Sequence, residues 1–183
     1  MKKQDFLLCA IVIALITTGS CNKKEQSPVI NVSNEVITTL KIKAVNVADP
    51  TDTPSAKCVQ LDRSGATPPD TSNFTLNLRK NASYKVQLRI LDTLTDITDE
   101  ILARQNYHLY CFYPASGLNL MVTLTDHDTN TPQLPIGLQD NFATGATSSG
   151  ALEINMRHQP NVKDGTCAPG TSDLDAFYYV KVQ

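Results

Sequence analysis

Residues 83–90 read SYKVQLRI, and this segment decides the fold. Apolar side chains occupy every second position, with Lys85, Gln87 and Arg89 between them. Strict two-residue alternation is typical of a β-strand that has one face in the core and the other in water. The same alternation recurs in residues 36–44, 74–79, 118–124, 152–156 and 177–182, and an aromatic strand is predicted over Tyr107–Tyr113.

These segments predict an all-β fold, an antiparallel β-sandwich of immunoglobulin-like character with about eight strands. One short helix is predicted near residues 97–105. Asp96 or Thr98 can cap it, and the acidic residues that follow suit the positive end of its dipole. Apolar residues make up 41% of the chain and charged residues 19%, which is a globular composition.

The first 20 residues predict a signal peptide. Lys2 and Lys3 precede an uninterrupted apolar run over residues 6–16. That run is shorter than the roughly 18 residues expected of a membrane-spanning helix. Small residues then lead into Cys21, and this order is typical of a bacterial lipoprotein that is lipidated on that cysteine. Ordinary cleavage near Ser20, without lipidation, is the alternative.

Lipidation of Cys21 predicts attachment to a membrane of the cell envelope, at the outer membrane, on a face that the sequence does not specify. Residues 21–33 are polar and lack periodicity, so we expect them to be a flexible tether. Residues 34–183 are then a single β-sandwich domain.

The net charge and the absence of known catalytic motifs narrow the range of possible functions. The net charge is −2 and no basic cluster is evident along the chain, which argues against a nucleic-acid partner. The sequence contains no nucleophile-elbow serine, phosphate-binding glycine loop, paired-histidine zinc helix or C-x-x-C pair. We therefore expect a protein that is not an enzyme.

Two histidines suggest a metal site. His108 and His158 fall at ends of predicted strands, and neutral imidazole is the commonest protein ligand for transition metals. The carboxylates of Asp173 and Asp175 could complete an open site for a divalent ion. The alternative is that both histidines bond to loop backbone and hold the strand ends together.

A calcium site is a weaker alternative. Asp126, Asp128 and Asn130 have the spacing of the first three ligands of a calcium loop. Thr131 stands where such a loop needs glycine, and Gly137 stands where it needs the bidentate glutamate. A hairpin loop with local side-chain turns is therefore favoured.

The cysteines allow one internal disulfide. Cys58, Cys111 and Cys167 are odd in number once Cys21 is set aside. We favour Cys111–Cys167, because Cys111 lies in a strand and is expected to face inward, whereas Cys167 lies in a loop that a disulfide would fix. Cys58 would remain buried or free.

Several motifs in the second half point to a family. They are residues 96–101, Tyr107-His108-Leu109, 126–130, Pro135-Ile136-Gly137-Leu138, 157–161, Lys163-Asp164-Gly165-Thr166 and 173–175. With them the chain resembles small exported lipoproteins of the Bacteroidota type, labelled as having a type 1 periplasmic-binding fold. Members are often encoded beside TonB-dependent outer-membrane receptors.

The resemblance implies an accessory role at such a receptor, with the receptor as partner. We therefore expect a membrane-anchored protein that binds a small ligand or a metal ion in support of transport. A structural or protein-interaction module that docks on an outer-membrane partner without a ligand of its own is the alternative.

Overall fold

The computed structural model describes residues 37–59 and 70–183. All the described residues belong to one compact unit. The predicted signal peptide, the lipidation at Cys21 and the tether over residues 21–33 lie outside the described residues. Among the residues described, no helix has the length and apolar character needed to cross a bilayer.

The first sheet contains six strands, all paired antiparallel. They are β1 (Thr39–Asn46), β2 (Ser55–Val59), β4 (Ser83–Asp92), β5 (Thr95–Asp96), β7 (Leu120–Leu124) and β8 (Gln139–Thr144). Their order across the sheet is β2-β1-β4-β8-β7, and the short β5 pairs with the end of β4.

The second sheet contains four strands in the order β3-β10-β9-β6. They are β3 (Thr75–Leu78), β6 (His108–Pro114), β9 (Ser148–His158) and β10 (Thr171–Val182). The pairing of β3 with β10 is parallel, and the other pairings are antiparallel. The second half of the chain therefore supplies three of the four strands.

The structure confirms the all-β sandwich, with 53% of the described residues in strands and 7% helical. It is the fold predicted from the alternation, not the one implied by the family label. The described residues hold ten strands rather than about eight. The strands missing from the prediction are β2, β5 and β8, which are short or mostly polar and are held largely by backbone pairing with longer neighbours.

The core lies between the two sheets. Leu40 and Ile90 of the first sheet and Ile154 of the second are fully buried. Burial of each such side chain stabilises the fold by about 1.5–3 kcal/mol. The buried hydroxyl of Tyr178 donates a 2.7 Å hydrogen bond to the carbonyl of Leu40, which joins the sheets across the core.

A single helix, α1 (Thr98–Ala103), lies within the predicted range, and the described residues contain one further 3₁₀ turn over Gln105–Tyr107. The N-cap is Ile97 and no side chain caps the helix, so the prediction of Asp96 or Thr98 as the cap is wrong. Asp96 accepts a 3.0 Å bond from the Thr98 amide in a local side-chain turn. The Thr98 hydroxyl instead accepts from the amide of Ile90 at 2.9 Å, which attaches the helix to β4. Helix residue Ile101 is 1% exposed and packs into the core beside the start of β6.

Candidate metal centre

Two of the predicted ligands face each other across a strand pair. His108 begins β6, His158 ends β9, and the two are directly opposite in the antiparallel register. Their rings lie edge to face with centroids 5.1 Å apart. Both share parity with core residues of their own strands, Tyr110 and Met156. The pair therefore sits at the end of the sandwich core.

A bulge in β10 adds a carboxylate. The register between β9 and β10 shifts between Ser172 and Leu174, which leaves Asp173 as the extra residue. An extra residue in one strand changes the direction of its side chain relative to the alternation. The Oδ2 atom of Asp173 consequently lies 2.8 Å from Nδ1 of His158 and 3.9 Å from Nε2 of His108.

The same bulge excludes the fourth predicted ligand. Asp175 is exposed on the opposite side of β10, where its carboxylate accepts hydrogen bonds from Asn155 and from the hydroxyl of Ser172. Alternation alone would place Asp173 and Asp175 on one face. The inclusion of Asp175 in the metal site is therefore wrong, and one inserted residue is the reason.

The site is dry. The side chains of His108 and Asp173 are fully buried, and that of His158 is 9% exposed. Burial, followed by the proximity of His158, lowers the pKa of His108 to about 4, although a hydrogen bond with the Ile101 backbone acts in the opposite direction. A neutral imidazole carries the lone pair that a metal ion requires.

One oxygen of the cluster has no partner. Oδ1 of Asp173 is buried and makes no hydrogen bond, while Oδ2 faces the two imidazoles. An unsatisfied buried polar atom costs about 1–3 kcal/mol. A cation bound beside the carboxylate would remove that cost.

The distances suit a transition-metal ion. Bonds of about 2.0–2.2 Å in a tetrahedral arrangement separate neighbouring ligand atoms by roughly 3.3 Å. Oδ2 of Asp173 lies 3.9 Å from Nε2 of His108 and makes a 2.8 Å hydrogen bond with Nδ1 of His158, which a bound ion would replace. All three ligand atoms lie within 4.8 Å of one another. Two imidazoles and a carboxylate are a ligand set for Zn²⁺ or Fe²⁺.

A disulfide fixes the loop between two of these ligands. Cys111 and Cys167 are joined with an S–S distance of 1.99 Å, which ties β6 to the loop over residues 159–170. The guanidinium of Arg157 donates to the carbonyls of Pro169 and Gly170 in the same loop, at 3.1 and 2.7 Å. All three ligand-bearing segments are thereby linked.

Cys111 does not face the core between the sheets. It alternates with Tyr110, which belongs to that core, so its side chain lies on the outer side of β6 under the loop. The prediction of an inward-facing Cys111 is wrong for that reason. Cys58 is buried as a free thiol, and burial raises its pKa.

In the hairpin loop around residues 126–130, the ammonium of Lys163 pairs with a carboxylate. The carboxylate of Asp128 accepts from the amides of Asn130 and Leu134 at 3.0 and 2.8 Å, and its Oδ2 lies 2.7 Å from Nζ of Lys163. Asp126 accepts from two further backbone amides at 2.8 and 3.0 Å. This contradicts the calcium alternative, because lysine and N–H groups occupy the coordination positions of these oxygens.

Sequence reasoning missed two charged residues near this region. Lys163 pairs with Asp128 from 35 positions away, and no local signal marks that pairing. Asp140 of β8 is 2% exposed, and neither of its oxygens has a hydrogen-bond partner. Burial, and secondarily the charge of Asp126, raises the pKa of Asp140 to about 9. Its parity with Phe142, a core residue, was the available signal.

Comparison of the chain with protein families, curated proteins and solved structures found no match.

Proposed function

We propose that the protein binds a divalent transition-metal ion through His108, His158 and Asp173. The observation that carries the proposal is the convergence of these three side chains in a buried cluster with a partnerless carboxylate oxygen. Buried polar groups are normally satisfied, and beside two imidazoles a bound cation is a way to satisfy this oxygen.

The role that we propose for this binding is non-enzymatic. Only His158 reaches solvent, at 9% exposure, so an ion would be held away from any substrate in bulk water. With lipidation at Cys21 and the family resemblance, this supports an envelope lipoprotein that captures metal for an outer-membrane transport receptor. The anchor and the receptor are parts of the proposal that rest on the sequence alone.

A docking module without its own ligand is the second candidate. Its support is a pair of exposed aromatic side chains on the outer face of the second sheet. Tyr113 and Phe177, 47% and 51% exposed, both lie opposite Glu153 in adjacent strands. Exposed apolar groups close together are common at protein interfaces.

The test is thermal unfolding of chelator-treated protein with and without Zn²⁺, Fe²⁺, Ni²⁺ or Cu²⁺. An ion at 100 times its dissociation constant stabilises the folded state by about 2.7 kcal/mol. For a domain of this size that corresponds to a rise in Tm of roughly 5–10 °C.

Asp173→Asn and Asp175→Asn form a matched pair. Both remove one carboxylate from the same strand, but only the first removes a proposed ligand while keeping its shape and polarity. We expect the metal-dependent rise in Tm to disappear in D173N and to persist in D175N. No rise in the unsubstituted protein with any of the four ions, or equal rises in both variants, would refute the metal site.

A further inference from the structure

A row of three cations crosses the outer face of the first sheet. In the register of β2, β1 and β4, Lys41 lies directly opposite Lys57 on one side and Arg89 on the other. Lys43 and Lys85 continue the face along β1 and β4, and the side chains of both are exposed. We call these five residues the basic face.

Few carboxylates balance this face. Arg89 makes a 3.0 Å ion pair with Asp96. Hydrogen bonds from Ser72 lower the pKa of Asp70, and the charge of nearby Lys57 adds a smaller contribution. In the strands that the structure describes, the outward positions beside the basic face carry no further carboxylate; they are Thr39, Val45, Ser55, Val59, Gln87, Gln139 and Asn141. The sequence-based statement that the chain has no basic cluster is therefore wrong, because the cluster forms only when the strands pair.

Fold stability does not explain this arrangement. Like charges directly opposite each other on one face of a sheet destabilise it. Beside the row lies an open groove of about 580 Å³ whose lining includes Lys41, Lys57 and Arg89, with the polar groups of Thr53 and Asn73 at its edge. An anionic partner would neutralise the repulsion.

We propose that the basic face docks on an anionic lipid surface and holds the domain against the membrane. Charge complementarity favours a phosphate-bearing surface. The short stretch of chain between Cys21 and β1 favours a membrane as the source of the phosphate groups. β1 contributes two of the five cations, and Ile37, the first described residue, lies two positions before it.

The choice of a membrane rests on the anchoring part of the proposed function. Only fifteen residues lie between Cys21 and Ile37, a distance of sixteen Cα–Cα steps. Even fully extended, that length spans no more than about 55 Å. A lipid on Cys21 would therefore keep the face close to the headgroups, where weak attraction is sufficient. A lipid chain combined with a basic patch is a stable form of attachment, whereas one chain alone is marginal.

The experiment uses the full chain made by cell-free synthesis, without lipid, in the presence of chelator. Binding is measured by co-sedimentation with phosphatidylcholine vesicles that contain or lack phosphatidylglycerol. The protein carries no covalently attached lipid and no bound metal in this assay. Failure of this proposal is therefore distinguishable from failure of the metal site or of lipidation. The leader peptide contributes equally to every variant.

Lys41→Gln/Lys43→Gln is compared with Lys80→Gln/Lys181→Gln, which removes two exposed cations elsewhere. We expect the first pair to lower partition onto anionic vesicles about tenfold or more. The second pair should change it by less than about twofold, and neither should matter without phosphatidylglycerol.

Equal losses from both pairs would show an effect of net charge alone and would overturn the proposal, as would no loss from either. Unchanged vesicle binding combined with lost binding to heparin or duplex DNA would also overturn it. That last result would assign the face to a soluble polyanion.

Discussion

Asp128 and Asp173 both bury their carboxylates completely, yet their surroundings differ. Asp128 receives backbone amides and the ammonium of Lys163, so its charge is matched from within the chain. Asp173 faces two histidines and leaves one oxygen without a partner.

This difference indicates where an external cation belongs. A buried charge is tolerated only when it is paired, protonated or bound to a metal ion. At Asp128 the chain supplies a permanent cation. At Asp173 it supplies imidazoles, of which His108 is held neutral. The comparison therefore predicts that Asp128 serves stability and that Asp173 serves binding.

The largest expected effect is on the internally matched pair. Lys163→Met should lower the free energy of unfolding by about 3–5 kcal/mol, because it leaves the Asp128 charge buried and unpaired. Urea denaturation measures the change. The double variant Lys163→Met/Asp128→Asn should recover a large part of that loss, and the exposed Lys181→Met should cost less than about 0.5 kcal/mol. A cost for K163M as small as that for K181M would show that Asp128 does not depend on its lysine.

Alanine substitutions at two glycines test the Asp173 side of the comparison, because one of these glycines contacts the backbone of His158. Gly170 and Gly165 both have positive φ, 79° and 85°, so alanine costs about 1–2 kcal/mol at either. At Gly170 the added Cβ would also overlap the carbonyl oxygen of His158, whereas at Gly165 the nearest atom is 3.3 Å away in the Leu134 side chain. G170A should therefore lose about 1–3 kcal/mol more than G165A.

The same pair separates packing from metal binding. G170A displaces the backbone of His158 and should weaken binding of Zn²⁺ measured by calorimetry, while G165A should leave it nearly unchanged. Equal affinities in the two variants would show that the position of His158 is not critical.

Asp140 provides a third case, a buried carboxyl with neither lysine nor imidazole. With its pKa raised to about 9 from 3.8, the folded state holds a proton that the unfolded state has released between those values. The free energy of unfolding should therefore fall by up to about 1.4 kcal/mol per pH unit as pH rises through that window. The titration of His108 does not contribute to this slope between pH 7 and 9. Its pKa of about 4 in the folded state and its ordinary pKa both lie below that range.

Asp140→Asn keeps the shape and removes the titration. The difference in free energy of unfolding between D140N and the unsubstituted protein should grow in favour of D140N from pH 7 to pH 9, measured by urea denaturation at several pH values. Parallel pH profiles would show that Asp140 has a partner that neutralises it in the folded state.

Most of the strands and the position of His158 could be predicted because alternation is a local signal, whereas the face of His108 was predicted wrongly together with that of Cys111. His158 follows the parity of Met156, and the structure places both as that parity requires. The bulge at Asp173 could not be predicted, because one inserted residue leaves no mark in composition. The Lys163–Asp128 pair and the row through Lys41 depend on which distant strands and loops meet, which the sequence does not state.

Strand β10, the final element of the chain, lies between β3 and β9, and its Tyr178 bonds to a residue 138 positions earlier. The second sheet thus lacks an interior strand until the last segment of 12 residues is present. Before β10 has been synthesised, the nascent chain is therefore unable to close its core, and folding of the sandwich waits for that strand.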